Sequence, residues 1–391
     1  MSSLELYIHI PFCVKKCNYC DFLSFASDED TRQAYVDALA KEIRSAKAEY
    51  GQFNISSIYI GGGTPSVLSY AQIKEIGAAL HDTFDLKGLK GKKKSPLRKK
   101  EVPPEIEFSV EANPGTLTKE KLKAFKDIGI NRISLGLQSA NNNELKELGR
   151  IHTFEDFLES FWLVREAGFK NVNIDLMEAV PAQSLASFRK TLANVVSLRP
   201  EHVSAYSLII EEGTPFYEKM NGSFPLALPD EEEEREIYYE AGRVLGKAGY
   251  RQYEISNYAL PGFECRHNTG YWRRENYLGM GLGASSMVRN TRWKNTSDIK
   301  AYIGGACTRE EMRNLSLKEQ MEEFMFLGLR LSDGISKNKF FETFKTDFDY
   351  IYGPVVYDLE GKGLIESDED NVRLTGRGVD VSNMVLAEFL L

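Results

Sequence analysis

Cys13, Cys17 and Cys20 form a Cys-x3-Cys-x2-Cys run directly after an apolar segment, and the chain has only two further cysteines, Cys265 and Cys307. Thiolates hold iron–sulfur clusters, and a short loop can wrap three corners of a four-iron cube. Three protein ligands leave one iron open. A chelating amine and carboxylate fill such a position, and S-adenosylmethionine supplies both from its methionine part. The competing reading is a structural zinc. Zinc needs a fourth ligand, here from Cys265, His267 or His9, and usually takes paired CxxC units or CxxC with two histidines. The start, MSSLELYIHI, reads as a first strand and not as a signal peptide, so the expectation is a reducing cytoplasm. Crowded thiols there point to a metal or cluster site rather than to a disulfide framework.

Elements that would position such a loop follow from the apolar pattern. Expected strands are Leu4–Ile10, Ser57–Gly61, Ile106–Glu111, Asn131–Leu137, Asn171–Met177 and His202–Ile209, read as apolar on both faces. Helices alternate with them, opened by Thr31, Ser69, Thr118, Thr153 and Ser184, with Gly129 and Gly168 as stops. Six βα units in residues 1–250 predict an α/β fold, a partial parallel (β/α)6 barrel, with a doubly wound open sheet as the alternative. Ligand-ready residues fall at successive strand ends: Gly61-Gly62-Gly63-Thr64-Pro65, Glu111, Gln138 and Asp175. Glycines there let backbone approach a ligand, although a plain glycine turn reads the same way.

The net charge of −8 argues against a general nucleic-acid binder. No run of about 18 apolar residues is present, so no membrane span is expected. Leu86–Glu105 is a basic Gly- and Pro-containing stretch, read as a surface insertion, and Asp230–Glu236 reads as the acidic opening of a helix. Residues 251–300 read as a connecting segment. Residues 301–391 predict a C-terminal helical, winged-helix-like domain, with helices over Ser316–Arg330, Lys337–Phe344 and Gly353–Gly361, a hairpin over Gly363–Thr375 and a final helix.

The run YIHIPFCVKKCNYCDF, Tyr7–Phe22, resembles the cluster loop of radical S-adenosylmethionine enzymes. More narrowly, most of the chain resembles the group that holds oxygen-independent coproporphyrinogen III dehydrogenase and the HemW haem chaperones. The resemblance implies a [4Fe–4S] cluster on Cys13, Cys17 and Cys20. It implies S-adenosylmethionine contacts from Tyr7, Tyr19, Gly62, Gly63, Thr64, Glu111, Gln138, Arg150, Asp175, Ile209 and Ser285. The dehydrogenase motif continues with a fourth cysteine, where this chain has Phe22, and the dehydrogenase carries a long arm before its first strand. His267-Asn268-x-x-Tyr271-Trp272 matches the HNxxYW signature associated with haem in HemW-type proteins, which implies haem at His267, Tyr271 and Trp272. On the residues alone, a histidine packed in a turn beside a core Tyr-Trp pair is the better reading of His267, and the resemblance reverses that. The implied function is haem transfer to an acceptor protein, with a reductase or flavodoxin-type electron donor; the alternative is oxidative decarboxylation of coproporphyrinogen III. One departure from the family pattern is Glu178-Ala179-Val180-Pro181, where an aromatic residue and a glycine are usual before the proline.

Overall fold

The computed structural model describes residues 3–89, 106–222, 226–305 and 308–391. Six strands lie side by side in chain order: β1 (Ser3–Ile10), β2 (Asn54–Gly62), β3 (Glu107–Ala112), β4 (Arg132–Gln138), β5 (Val172–Glu178) and β6 (His202–Ser207). Every neighbouring pair is parallel. A doubly wound sheet reverses its strand order at a switch point. This order never reverses, so the open-sheet alternative is excluded, and the six βα units wind one way as the arc of a barrel.

The helices open where the hydroxyl caps predict. Ser69, Thr118, Thr153 and Ser184 each accept a backbone N–H from three residues on, which satisfies a donor the helix itself leaves unpaired. Gly129, at φ +104°, stops its helix in the left-handed conformation. Asp230 caps Glu231–Lys247, with four glutamates in the first turn. The first helix differs from expectation. Asp28, not Thr31, caps it by accepting the Thr31 N–H at 2.8 Å, and the helix Glu29–Ser45 gives way at Ala46 to a single further turn, Lys47–Tyr50.

The strands are not apolar on both faces, contrary to the sequence reading. Leu4, Leu6, Ile8, Ile10, Ile58, Ile60, Phe108, Val110, Ile133 and Leu135 belong to the large core that also holds the surrounding helices. The alternate residues are polar and buried: Glu5, His9, Ser57, Glu107, Ser109, Arg132, Ser134, Asn173, His202 and Ser204. Side chains alternate across a strand, so these share the face opposite the helices. Strand register sorts them into rows. Glu5, Ser57 and Glu107 face one another; Tyr7, Tyr59, Ser109 and Arg132 form the next row; Ser134, Asn173 and His202 lie further along.

Residues 251–300, expected as a connection, supply strands to both edges. β7 (Arg251–Glu254) and β8 (Asn257–Ala259) add antiparallel beyond β6. β9 (Tyr277–Met280) pairs parallel with β1, and β10 (Ser285–Val288), β11 (Thr291–Asn295) and β12 (Arg309–Asn314) continue antiparallel, for twelve strands in all. These strands of three to six residues are too short and too polar to carry a periodic signal.

The C-terminal unit has its own core around Met325, Phe340, Tyr352, Val372 and Phe389. Its helices run Leu317–Gly328, Lys337–Phe344, Phe348–Gly361, Gly376–Asp380 and Ser382–Ala387, with a three-stranded sheet of β13 (Ile335–Ser336), β14 (Ile365–Ser367) and β15 (Asn371–Leu374). The third helix starts five residues before the expected Gly353. Asp347 caps it, and Pro354 falls within it rather than at its start. The final helix is two short ones. Of the basic stretch, residues 90–105 lie outside the described residues, as does Cys307; Lys87–Leu89 is a single 3-10 turn. Among the described residues no helix is long and apolar enough to cross a membrane.

One short helix, Arg266–Trp272, packs onto the polar face of the sheet. The Glu107 carboxylate accepts the Arg266 N–H at 3.1 Å and the His267 N–H at 3.4 Å, which pairs the helix's leading donors with a buried charge. At Gly270 a Cβ would lie 2.1 Å from Glu5 Oε1, so only glycine lets the helix approach β1. Glu107→Ala should therefore strip two buried donors and lower stability by ~3 kcal/mol or more. A reduced denaturant midpoint with an unchanged m-value is the expected result; a midpoint shift below about 1 kcal/mol would show that the helix is held by packing alone.

Candidate functional site

The cysteine loop leaves the C-terminal end of β1, where parallel barrels place their sites. Two backbone bonds close its neck, Cys13 N–H to Phe25 O at 3.0 Å and Phe25 N–H to Pro11 O at 2.9 Å. Asn18 clamps its middle: its N–H donates to Leu148 O at 3.0 Å, its side chain to Glu147 O at 2.8 Å, and its carbonyl accepts from Phe216. Gly149, at φ +75°, lets that contact form, since a Cβ there would meet Asn18 at 2.8 Å.

Within the loop the three thiols are half-buried and free. Burial pushes the Cys20 thiol up, and Cys17 and Cys13 add to the shift, so the three feel one another's charge. A ring of polar contacts joins two of them. Thr64 Oγ1 donates to Cys13 Sγ at 3.5 Å and accepts from Asn113 Nδ2 at 2.7 Å. Asn113 Oδ1 accepts from Arg150 Nη2 at 2.6 Å, and Arg150 Nη1 donates to Cys17 Sγ at 3.5 Å. Arg150 also donates to Gly136 O at 2.9 Å, which fixes its guanidinium against the thiols. The residues fit an anionic sulfur-ligated group: three thiols on one loop, with N–H and O–H donors aimed at the sulfurs.

The zinc alternative loses its fourth ligand. Cys265 is buried with its Sγ 3.5 Å from Glu107 Oε1. His9 is engaged on both ring nitrogens, accepting from Tyr7 OH at 3.0 Å and donating to Leu23 O at 3.0 Å. His267 lies beside Glu5 and Ser57, in the row of polar residues farthest from the loop. Among the described residues, no three His, Cys, Asp or Glu side chains are grouped to hold a single ion.

Around the loop the strand ends bring most of the expected residues together. Gly63 N–H donates to Ile10 O at 2.8 Å and Thr64 N–H to Phe12 O at 2.7 Å, stitching the glycine turn to the cysteine loop. A Cβ at Gly63 would lie 2.7 Å from Phe12 O. Glu111 accepts from Tyr59 OH at 2.9 Å and from Gly62 N–H at 3.1 Å, and burial lifts its pKa to about 7. Asp175 accepts from Ser134 and Asn173, both at 2.7 Å, and burial raises its pKa. Gln138 takes φ +69° at a bulge in β4, and its amide lies over Gly136 beside Arg150. Tyr19 packs on the Leu148, Met177 and Phe216 cluster. Tyr7 stands one row below this group. Ile209 follows the C-terminal end of β6 and is 68% exposed, and Ser285 is exposed at the start of β10. Asn113 and Asn18 escape the sequence reading because each looks like an ordinary turn residue, and Asn113 also lies far from the Cys run in sequence.

The HNxxYW residues divide. His267 is 1% exposed, with Nδ1 against Ser57 Oγ at 2.8 Å and Nε2 against Tyr271 OH at 3.1 Å. It stacks on Tyr59 at 5.1 Å, and burial lowers its pKa to about 3, so it is neutral. Both nitrogens are engaged, and a metal would have to displace one of those bonds. Trp272 lies on the other side of the helix, under the Arg330 guanidinium at 4.4 Å.

Glu178, in the stretch that departs from the family pattern, is 1% exposed. Neither carboxylate oxygen makes a hydrogen bond, and burial pushes its pKa up to about 8, a shift that nearby Ser207 only partly offsets. The unfolded chain releases this proton near pH 4.5 and the folded chain near 8, so Glu178 costs stability as pH rises through that window. Glu178→Gln should gain on wild type progressively from pH 5 to 8, by up to a few kcal/mol in chemical denaturation. A constant difference across that range would contradict the desolvated carboxyl.

Known proteins agree with this geometry. The radical SAM superfamily pattern matches residues 7–194, and the HemN C-terminal domain matches residues 315–381. The chain is 38% identical to the heme chaperone HemW of Lactococcus lactis over 98% of this chain and 97% of that protein. It is 39% identical to HemW of Bacillus subtilis, covering 98% of each, and 34% identical to that of Escherichia coli, covering 100% of this chain and 99% of that one. The solved structure of coproporphyrinogen III oxidase, HemN, from Escherichia coli shares the fold at TM-score 0.81 and 22% identity, over 100% of this chain and 90% of that one. With such similarity along the full length of these relatives, the resemblance first read in the Tyr7–Phe22 loop is one of kinship, and the chain belongs to the HemW family of the radical SAM superfamily.

Proposed function

We propose that this chain is a haem chaperone that keeps a [4Fe–4S] cluster on Cys13, Cys17 and Cys20, with S-adenosylmethionine beside it, and passes haem to an acceptor protein in the cytoplasm. The ring that runs from Cys13 through Thr64, Asn113 and Arg150 to Cys17 carries the reading. A bound cluster would supply one-electron reducing power next to the sulfonium of S-adenosylmethionine. The protein's own groups do the rest. Arg150 donates to Cys17 Sγ, and its bond to Gly136 O fixes the guanidinium. Glu111 offers a carboxylate at the mouth whose charge is held by Tyr59 OH and Gly62 N–H, suited to an ammonium group. The glycines at 62 and 63 keep the backbone bare where a ligand would lie.

The chaperone reading, rather than decarboxylation, is supported by Phe22 at the position of the fourth cysteine. Its side chain is 63% exposed at the mouth. The relatives that match in full carry the name heme chaperone. Transfer would engage haem, an acceptor and a reductase or flavodoxin-type donor.

Cys17→Ala, purified and reconstituted anaerobically, should lose most bound iron and sulfide and the visible charge-transfer absorbance. Iron content equal to wild type would remove Cys17 from the cluster. The reconstituted wild type, given S-adenosylmethionine, a reductant and coproporphyrinogen III, should bind haem yet form no protoporphyrinogen. Appearance of that product would replace the chaperone with a dehydrogenase.

A further inference from the structure

We propose that haem is carried in the groove between the outer side of helix Arg266–Trp272 and the C-terminal unit, held by its propionates and its flat face rather than by His267; this rests on the chaperone reading above. The groove has a volume of 810 Å³. Small-molecule sites run about 300–1,000 Å³.

Helical spacing explains why the HNxxYW residues part company. Residues 267, 270 and 271 share one side of the helix and meet Ser57, Glu5 and Tyr277 in the sheet. Residues 266, 269, 272 and 273 share the other side and line the groove. Opposite them stand Phe324 and Gly328 of helix Leu317–Gly328, together with Leu331 and Ile335. Trp272, Phe324, Leu331 and Ile335 give apolar walls suited to a planar macrocycle.

Charge matches the other half of such a ligand. Arg251, Arg266, Arg273, Arg274 and Lys339 line the groove together with three acids, Glu264, Glu275 and Asp333. The propionates of haem are carboxylates that such cations can bind. Arg251 is paired with Asp333, and Arg274 with Glu323 at 2.9 Å. Arg273 has no carboxylate partner among the described residues, and Lys339 reaches only the exposed Glu342 at 3.7 Å. Both cations line the groove and are exposed, Arg273 just after the helix and Lys339 in the C-terminal unit. Among the described lining residues there is no histidine, cysteine or methionine, so recognition here falls on carboxylates and ring face.

The test is a Soret titration of the full, cluster-reconstituted chain with ferric haem and with haem dimethyl ester. Wild type should bind haem and bind the diester about tenfold more weakly or worse. The double variant Arg273→Glu, Lys339→Glu should weaken haem by a similar factor. Thr343→Trp, which fills the groove without changing charge, should weaken both ligands. Cluster content and circular dichroism should match wild type in all three. Wild-type haem affinity in both groove variants would place haem elsewhere while leaving the chaperone reading intact. No haem binding by wild type would overturn the chaperone reading and the groove with it.

Discussion

A buried carboxylate with two backbone donors on it holds this architecture together. Glu107 sits on the polar face of the sheet, and the leading N–H groups of helix Arg266–Trp272 close onto it. An unpaired carboxylate there would be costly, and so would the orphaned helix donors. Each satisfies the other, and the consequence is that residues 251–314 cannot be a mere linker. The helix enters the arc, β9 then pairs with β1, and the outer side of the same helix becomes a wall of the groove.

The polar face behind Glu107 is buried in the middle. Arg132 is its buried cation, with Glu107 within Coulombic reach to favour its charge against desolvation. Near it the neutral forms win. Burial keeps His267 unprotonated and lifts Glu5 to about 9, so this pair, 3.8 Å apart, is two neutral groups at pH 7 rather than an ion pair. Toward the mouth the balance shifts. Glu111, at about 7, stands where carboxyl and carboxylate are both accessible, beside the backbone of Gly62. A single sheet face thus grades from a neutral, hydrogen-bonded floor to a charge-bearing rim.

Much of this was legible in the sequence where the chemistry is local. The hydroxyl caps at Ser69, Thr118, Thr153 and Ser184, and the crowding of Cys13, Cys17 and Cys20, depend on a few adjacent residues, and the strand-end positions follow from the βα rhythm. What was hidden depends on distant partners. The alternation Leu4-Glu5-Leu6-Tyr7-Ile8-His9-Ile10 is on view in the sequence, yet its abundance of Leu, Ile and Tyr reads as a run buried among apolar neighbours. Only the register with Ser57 and Glu107 shows that its second face is polar. Asn113 looks like half of an Asn-Pro turn until Arg150 and Thr64 close on it. Which way His267 points is set by Gly270 meeting Glu5, a contact between residues 265 positions apart in sequence numbering.

The separation between mouth and groove has a chemical meaning. Radical chemistry requires its substrate within reach of the reacting carbon, so a dehydrogenase must bring its porphyrinogen to the mouth. The groove opens on the far side of helix Arg266–Trp272, and the packed stack of His267, Tyr59 and Tyr7 fills the polar face between them. A macrocycle in the groove would be screened from the cysteine loop by that wall. Such screening suits a cargo that must leave unaltered and does not suit a substrate. It also leaves the mouth, with Phe22 and Val14 exposed beside Lys15 and Lys16, free to meet another protein while the groove is full. The partition between mouth and groove is anchored by the Glu107 carboxylate, which takes the leading N–H groups of the helix that forms it.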